Sequence, residues 1–270
     1  MKLTAILCVF LLIAACGGTA TNNNGVATDK VGGSPSPPAA SPETGLMTIT
    51  FAAPDGAKLV GSLYEASKQN SPALLLLHQW QSDRHSYDDF AKRMQAKGFA
   101  VLSIDGRGFG ESTKKADGSA VIAGRTDADV KAMLGDTGAA IEFLSKQKNV
   151  DPSHVGIIGA SYGSSLALIY AADNPKVAAV ALLSPGLNYF GNMPDDPAIK
   201  KYGDRPLYMT AARDDQESAA AVDKLISAVK NSKYIAKVHE QGGHGTALFA
   251  VGLADDLDAF FSDRFGVSVK

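Results

Sequence analysis

Beyond residue 16 the sequence has no cysteine, since the two it contains are Cys8 and Cys16. A domain built from the remainder has neither a disulfide nor a thiol nucleophile. An excess of either charge is also missing: 26 Lys and Arg against 28 Asp and Glu leave a formal −2. That excludes the basic footprint of a nucleic-acid binder and an acidic interaction tail. No His-x-x-x-His pair or carboxylate–histidine cluster offers a metal ligand set. Gly106, Gly108 and Gly110 lack the full spacing of a dinucleotide fingerprint and do not open into a helix. We therefore expect no cofactor and no metal. There is no internal repeat, and 270 residues that are 45% hydrophobic suffice for one large α/β domain.

The amino terminus has the layout of a secretory signal. Lys2 precedes an apolar stretch over 3–15 that is too short to span a bilayer comfortably and ends in small residues. The tetrad Ile13-Ala14-Ala15-Cys16 resembles a bacterial lipobox, which implies a signal peptide over 1–15 and lipidation of Cys16 as the first mature residue. Residues 16–45 are rich in Asn, Gly, Ser, Thr and Pro, cannot bury apolar area, and read as a disordered tether. The expected location is the bacterial cell envelope, with the membrane reached through the lipid anchor.

From residue 46 the chain reads as one folded domain. Alternating residues over 48–51 and 58–64, separated by Pro54-Asp55-Gly56, predict an antiparallel hairpin. The unbroken run Ala73-Leu74-Leu75-Leu76-Leu77 predicts a strand buried on both faces. Helices are expected over 85–97, 126–147, 164–172, 216–230 and 248–265, and strands over 99–104, 155–159, 177–183, 205–211 and 234–239. Such alternation implies a mostly parallel sheet with helices on both faces.

The candidate site centres on Gly159-Ala160-Ser161-Tyr162-Gly163, a Gly-x-Ser-x-Gly pattern between an apolar strand and a helical pattern. A serine in a tight turn at the carboxyl end of a buried strand points its hydroxyl out of the sheet. Gly159 would keep the flank of the turn small, and Gly163 would let the helix start close to the strand. Such a serine needs a base, an orienting carboxylate and oxyanion donors, all from loops at the same sheet edge. His244, in Gln241-Gly242-Gly243-His244-Gly245 just past the last strand, is the expected base. His85 lies on a surface helix, while His154 and His239 flank strands. Asp214 and Asp215 both follow the strand over 205–211. We assign the carboxylate to Asp214, because Asp215 before Gln216 and Glu217 also suits a helix cap.

The order Ser161, Asp214, His244 is that of the α/β-hydrolase arrangement, and the chain resembles the α/β-hydrolase superfamily over about 46–266, most of all its dienelactone-hydrolase-like and simple esterase branches. His78-Gln79-Trp80 looks like the family's His-Gly-x oxyanion strand, with Gln79 in place of the glycine. Asp105-Gly106-Arg107-Gly108-Phe109-Gly110-Glu111-Ser112 looks like its Asp-x-Arg-Gly-x-Gly-x-Ser segment. The resemblance implies an oxyanion hole made by the backbone N–H groups of Trp80 and Tyr162, and a structural turn at Asp105 and Arg107. It also implies a serine hydrolase that cleaves carboxylic esters of small or medium acyl groups through an acyl-enzyme. About twenty residues separate the strands over 177–183 and 205–211, too few for a large cap domain. Leu187, Tyr189, Phe190 and Met193 in that insertion are candidates for an apolar wall. A lactone hydrolase, a peptidase, or a non-catalytic surface-binding lipoprotein are the alternatives, because substrate choice resides in the pocket.

Overall fold

The structure, a computed structural model, describes residues 45–229 and 233–267. Cys16, the signal segment over 1–15 and the tether up to residue 44 lie outside the described residues. Among the described residues no helix is long and apolar enough to cross a membrane.

The elements run β1 (Leu46–Ala52), β2 (Ala57–Tyr64), β3 (Ser71–Leu77), α1 (Asp88–Ala96), β4 (Ala100–Ile104), β5 (Lys114–Lys115) and α2 (Asp127–Ser145). They continue through β6 (Val150–Ala160), α3 (Tyr162–Asp173), β7 (Val177–Leu183), β8 (Asn188–Tyr189), β9 (Met193–Pro194) and α4 (Asp195–Tyr202). The last are β10 (Leu207–Ala212), α5 (Gln216–Ala228), β11 (Tyr234–His239) and α6 (Leu253–Phe265). The main sheet has the order β1-β2-β4-β3-β6-β7-β10-β11, with β5 beside β2. β1 and β2 form the expected antiparallel hairpin, and β4 through β11 pair in parallel along this order. The sheet thus carries its parallel loops to one edge, as an α/β-hydrolase fold requires.

Both faces are covered, and the side-chain alternation of the central strands divides the core. Leu75, Leu77 and Ile157 point to one face, where they pack with Met133 of α2, Leu166 of α3, Ile199 of α4 and Val222 of α5. Leu74, Leu76 and Ile158 point to the other, against Phe90 and Met94 of α1 and Leu257 and Phe261 of α6. A strand that buries both faces needs no polar alternation, which explains the leucine run of β3. α2 starts with a capping box: the Asp129 amide donates to Thr126 Oγ1 at 3.3 Å, and the Thr126 amide donates to Asp129 Oδ2 at 2.9 Å.

The segment between β7 and β10 is more ordered than its sequence suggests. It forms the short β8–β9 ribbon and then α4, with Met193 and Ile199 fully packed in the core. Leu187, Tyr189 and Phe190 are half-buried against the same cluster.

Candidate active site

Ser161 follows β6 directly and has φ 54° and ψ −125°, a region that a side-chain-bearing residue adopts at a cost of about 1–3 kcal/mol. The surrounding contacts hold it there. Its amide donates to Leu183 O at 2.8 Å, and the Ser164 amide and hydroxyl return to Ser161 O at 2.8 and 2.6 Å. The glycines act sterically, as the pattern implies. A Cβ on Gly163 would lie 2.7 Å from Leu77 O and 2.8 Å from His78 O, and one on Gly159 would collide with the Gly163 carbonyl.

His244 reaches the same edge from the loop after β11, and its Nδ1 lies 2.7 Å from Asp215 Oδ2. The carboxylate facing the imidazole is therefore Asp215, which corrects the assignment to Asp214. Asp214 instead accepts hydrogen bonds from the amides of Gly242 and Gly243 at 3.1–3.2 Å, holding the loop that carries His244. Asp215 occupies the cap position of α5, but its side chain makes no capping hydrogen bond. Burial works to raise the Asp215 carboxyl. The hydrogen bond from His244 and those from the Ser218 and Ser184 hydroxyls outweigh it and leave the group below its ordinary value. With Nδ1 turned to a carboxylate, Nε2 of His244 is left to face a nucleophile or leaving group.

Residues outside the motif set the height of the imidazole over the sheet. The Gly245 amide donates to Ser184 Oγ at 2.9 Å, and the Ser184 amide donates to Thr210 O at 2.8 Å. A Cβ on Gly245 would stand 3.5 Å from Ala160 Cβ, so the residue after His244 lies against the residue before Ser161. Ser184 escaped sequence reasoning, although a serine immediately after the strand next to β6 is a usable signal. Tyr189 also has a role beyond an apolar wall: its hydroxyl donates to Ser184 O at 3.0 Å and faces the Ser161 and Ser218 hydroxyls.

The loop after β3 supplies the opposite wall. Among the described residues, neither the Trp80 nor the Tyr162 amide has a hydrogen-bond acceptor. Tyr162 opens α3, where the first amides have no partner inside the helix. His78 is buried and neutral: its Nδ1 donates to Gln79 O at 2.7 Å while its Nε2 accepts from the Gly106 amide at 2.9 Å. Burial holds its pKa below the ordinary histidine value. Gln79 has no positive φ; in this loop that falls at Gln81, with φ 59°. The indole of Trp80 packs edge-on against Phe109, Tyr162 and Phe190, with centroids 4.8–5.3 Å apart, and Arg125 lies over the Trp80 and Phe190 rings.

Asp105 and Arg107 build the neighbouring turn. Asp105 is fully buried, pairs with Arg84 and accepts from the Arg84 and Glu111 amides at 2.8 Å. Arg107 meets Asp136 at 2.6 Å through two nitrogens and reaches Asp55 at 2.9 Å. Both side chains are committed to structure.

The sheet order, the strained serine turn and the histidine loop define an α/β-hydrolase. The model of the dienelactone hydrolase family matches residues 59–252, and the chain belongs to that family. Among solved structures it is similar to acetyl xylan esterase 1 of Thermoanaerobacterium, with TM-score 0.67 and 20% identity over 81% of this chain and 83% of that one. It is likewise similar to a dienelactone hydrolase of Anabaena variabilis, with TM-score 0.61 and 20% identity over 81% and 97% of the two chains. In sequence it is 29% identical over 138 residues to the thiohydrolase aneE of Aspergillus aculeatus, covering 51% of this chain and 41% of that protein. It is 27% identical over 179 residues to the polyketide transferase grgF of a Penicillium species, covering 62% and 58%. The chain thus spans between about two fifths and three fifths of the length of these relatives.

Proposed function

We propose that the protein is a serine hydrolase that cleaves carboxylic esters of small or medium acyl groups through an acyl-enzyme. The observation that carries this reading is the 2.7 Å pairing of His244 with Asp215 at the sheet edge that also bears Ser161 in its strained turn. In the proposed reaction His244 Nε2 takes the Ser161 proton as Oγ attacks the ester carbonyl. Asp215 keeps the imidazole in the required tautomer and stabilises its charged form. The amides of Trp80 and Tyr162 receive the oxyanion, each donor contributing on the order of 10²–10³ in rate. His244 then gives its proton to the leaving oxygen and activates water against the acyl-enzyme.

The same acyl-enzyme can pass its acyl group to an acceptor other than water or form from a thioester. The similarity to a thiohydrolase and to polyketide transferases favours including both. A panel of p-nitrophenyl esters of increasing acyl length, an acyl thioester, a lactone and a peptide, with and without an added alcohol, tests the reading. It expects turnover of the shorter esters that vanishes in Ser161→Ala, and peptide cleavage without ester cleavage would contradict it.

We also propose that the protein is a lipoprotein of a bacterial envelope, acylated at Cys16. Support comes from the apolar stretch ending in Ile13-Ala14-Ala15-Cys16 and the polar segment behind it. Stable anchoring takes two or more acyl chains. Cys16→Ala should leave the membrane fraction, and its full retention there would refute the anchor.

A further inference from the structure

We propose that Gln79 is a positioning residue that joins the Trp80 oxyanion donor and the His244 base into one mechanical unit; this rests on the serine-hydrolase reading above. Gln79 precedes Trp80, and Thr246 follows His244 by two positions. The Gln79 side chain crosses between their loops: its Oε1 accepts from the Thr246 amide at 3.2 Å and from Thr246 Oγ1 at 3.0 Å. The contact is close enough to fix the residue between them, since a Cβ on Gly245 would approach Gln79 Oε1 to 2.9 Å.

The backbone of Gln79 is held as firmly as its side chain. Its carbonyl accepts from His78 Nδ1 at 2.7 Å and from the Ser82 amide at 3.2 Å. Its C=O and the Trp80 N–H belong to one planar trans peptide and point in opposite directions. Fixing the carbonyl toward His78 and Ser82 therefore aims the N–H the other way, and the Oε1 contact ties this peptide to the histidine loop. A glycine at this position would have no side chain to make that tie, so the coupling depends on Gln79 itself.

The test compares Gln79→Met, which keeps length but loses the acceptor, with Gln79→Glu, which keeps an oxygen for Thr246. Thr246→Val approaches the contact from the other side. Each is assayed for kcat and KM on a soluble p-nitrophenyl ester and for the pH profile of kcat/KM. Displacement of catalytic groups by about 1 Å costs on the order of 10²-fold. Gln79→Met should thus lower kcat by roughly 10- to 100-fold, change KM by less than about threefold, and move the acid limb of the profile. Gln79→Glu should recover most of that loss. Thr246→Val should lower kcat by a few-fold, and the Gln79→Met/Thr246→Val double variant should be no worse than Gln79→Met alone.

Parental kcat in Gln79→Met, no recovery in Gln79→Glu, or multiplying effects in the double variant would overturn the coupling. If Gln79→Met does not fold, Thr246→Val decides: a parental kcat and an unmoved acid limb refute the proposal. Ser161→Ala, assayed in parallel, separates the two levels. Activity that survives Ser161→Ala sinks the hydrolase reading itself, whereas Ser161-dependent activity indifferent to Gln79 sinks only the coupling.

Discussion

Asp215 meets His244 because β10 and β11 are paired in parallel with Ala212 opposite His239, so the two loops leave the sheet at the same level. The Arg213 amide donates to His239 O at 2.9 Å and extends the ladder one step further. Three residues past Ala212 the Asp215 carboxylate turns inward, and five past His239 the imidazole comes back over the sheet to 2.7 Å from it. Asp214 faces the glycine amides of the same loop. Two adjacent carboxylates thus serve one histidine, one by contact and one by shaping its loop.

From this follows a difference between two Asp→Asn variants. Asp215→Asn should keep the fold and cost up to about 10⁴ in kcat, by analogy with loss of the carboxylate in serine proteases, because the wrong tautomer is then favoured. Asp214→Asn keeps an oxygen for the glycine amides and should cost roughly tenfold or less. Steady-state kinetics on a small ester checks the ranking, and a larger loss from Asp214→Asn would reverse the assignment.

The choice between these neighbours was out of reach of the sequence, and the reason is geometric. Asp215 has φ −101° and ψ 74°, outside the usual cap conformation, so its side chain leaves the helix it precedes. Composition cannot report that rotation. The strands were legible because leucine runs and alternation reflect burial directly in β3 and β1, whereas β2 alternates in sequence but is buried nearly throughout. The turn at Ser161 was legible because its glycines are sterically required. The β8–β9 ribbon and α4 were not, since strands two residues long and a helix of eight carry too little periodicity beside Pro194 and Pro197. The Gln79–Thr246 contact joins residues 167 positions apart and leaves no local pattern.

Stability should depend on pH through Asp195, a fully buried carboxylate at the start of α4. Burial raises its pKa from 3.8 to about 7 against one hydrogen bond from Ser165 Oγ, and its Oδ1 has no hydrogen-bond partner among the described residues. Between those values the folded protein holds a proton that the unfolded chain has released. Stability from this group is therefore greatest below about 3.8 and falls as pH rises through 7. Asp195→Asn should raise the unfolding free energy at pH 8 by on the order of a few kcal/mol, seen as a higher melting temperature, and lose that advantage near pH 4. Calorimetry at the two pH values decides, and an equal effect at both would refute it.

Gly163→Ala tests the close approach of α3 to the end of β3. The added methyl would press on the carbonyls of Leu77 and His78, which are backbone atoms with little freedom to move. Destabilisation of about 1–3 kcal/mol is expected from such overpacking. Activity should fall further than stability, because the displaced strand end carries the Trp80 amide. Thermal unfolding and ester kinetics on the same preparation measure both, and a neutral outcome in each would contradict the packing.

The arrangement contains a second buried charge pair whose removal has a defined sign. Arg107 and Asp136 are 8% and 4% exposed at their side chains. Arg107→Met leaves Asp136 uncompensated and should cost about 3–5 kcal/mol, whereas Arg107→Met with Asp136→Leu should recover much of it. Urea denaturation of the single and double variants reads the difference, and an equally unstable double variant would argue against it.

In the proposed reaction Ser161 is the nucleophile and His244 its base, held by Asp215. Mass mapping after brief exposure to a fluorophosphonate measures this most directly. A single adduct on Ser161 is expected in the parent protein, none in Ser161→Ala, and labelling slowed by orders of magnitude in His244→Ala with unfolding unchanged. An adduct on any other residue, or parental labelling in His244→Ala, would contradict it.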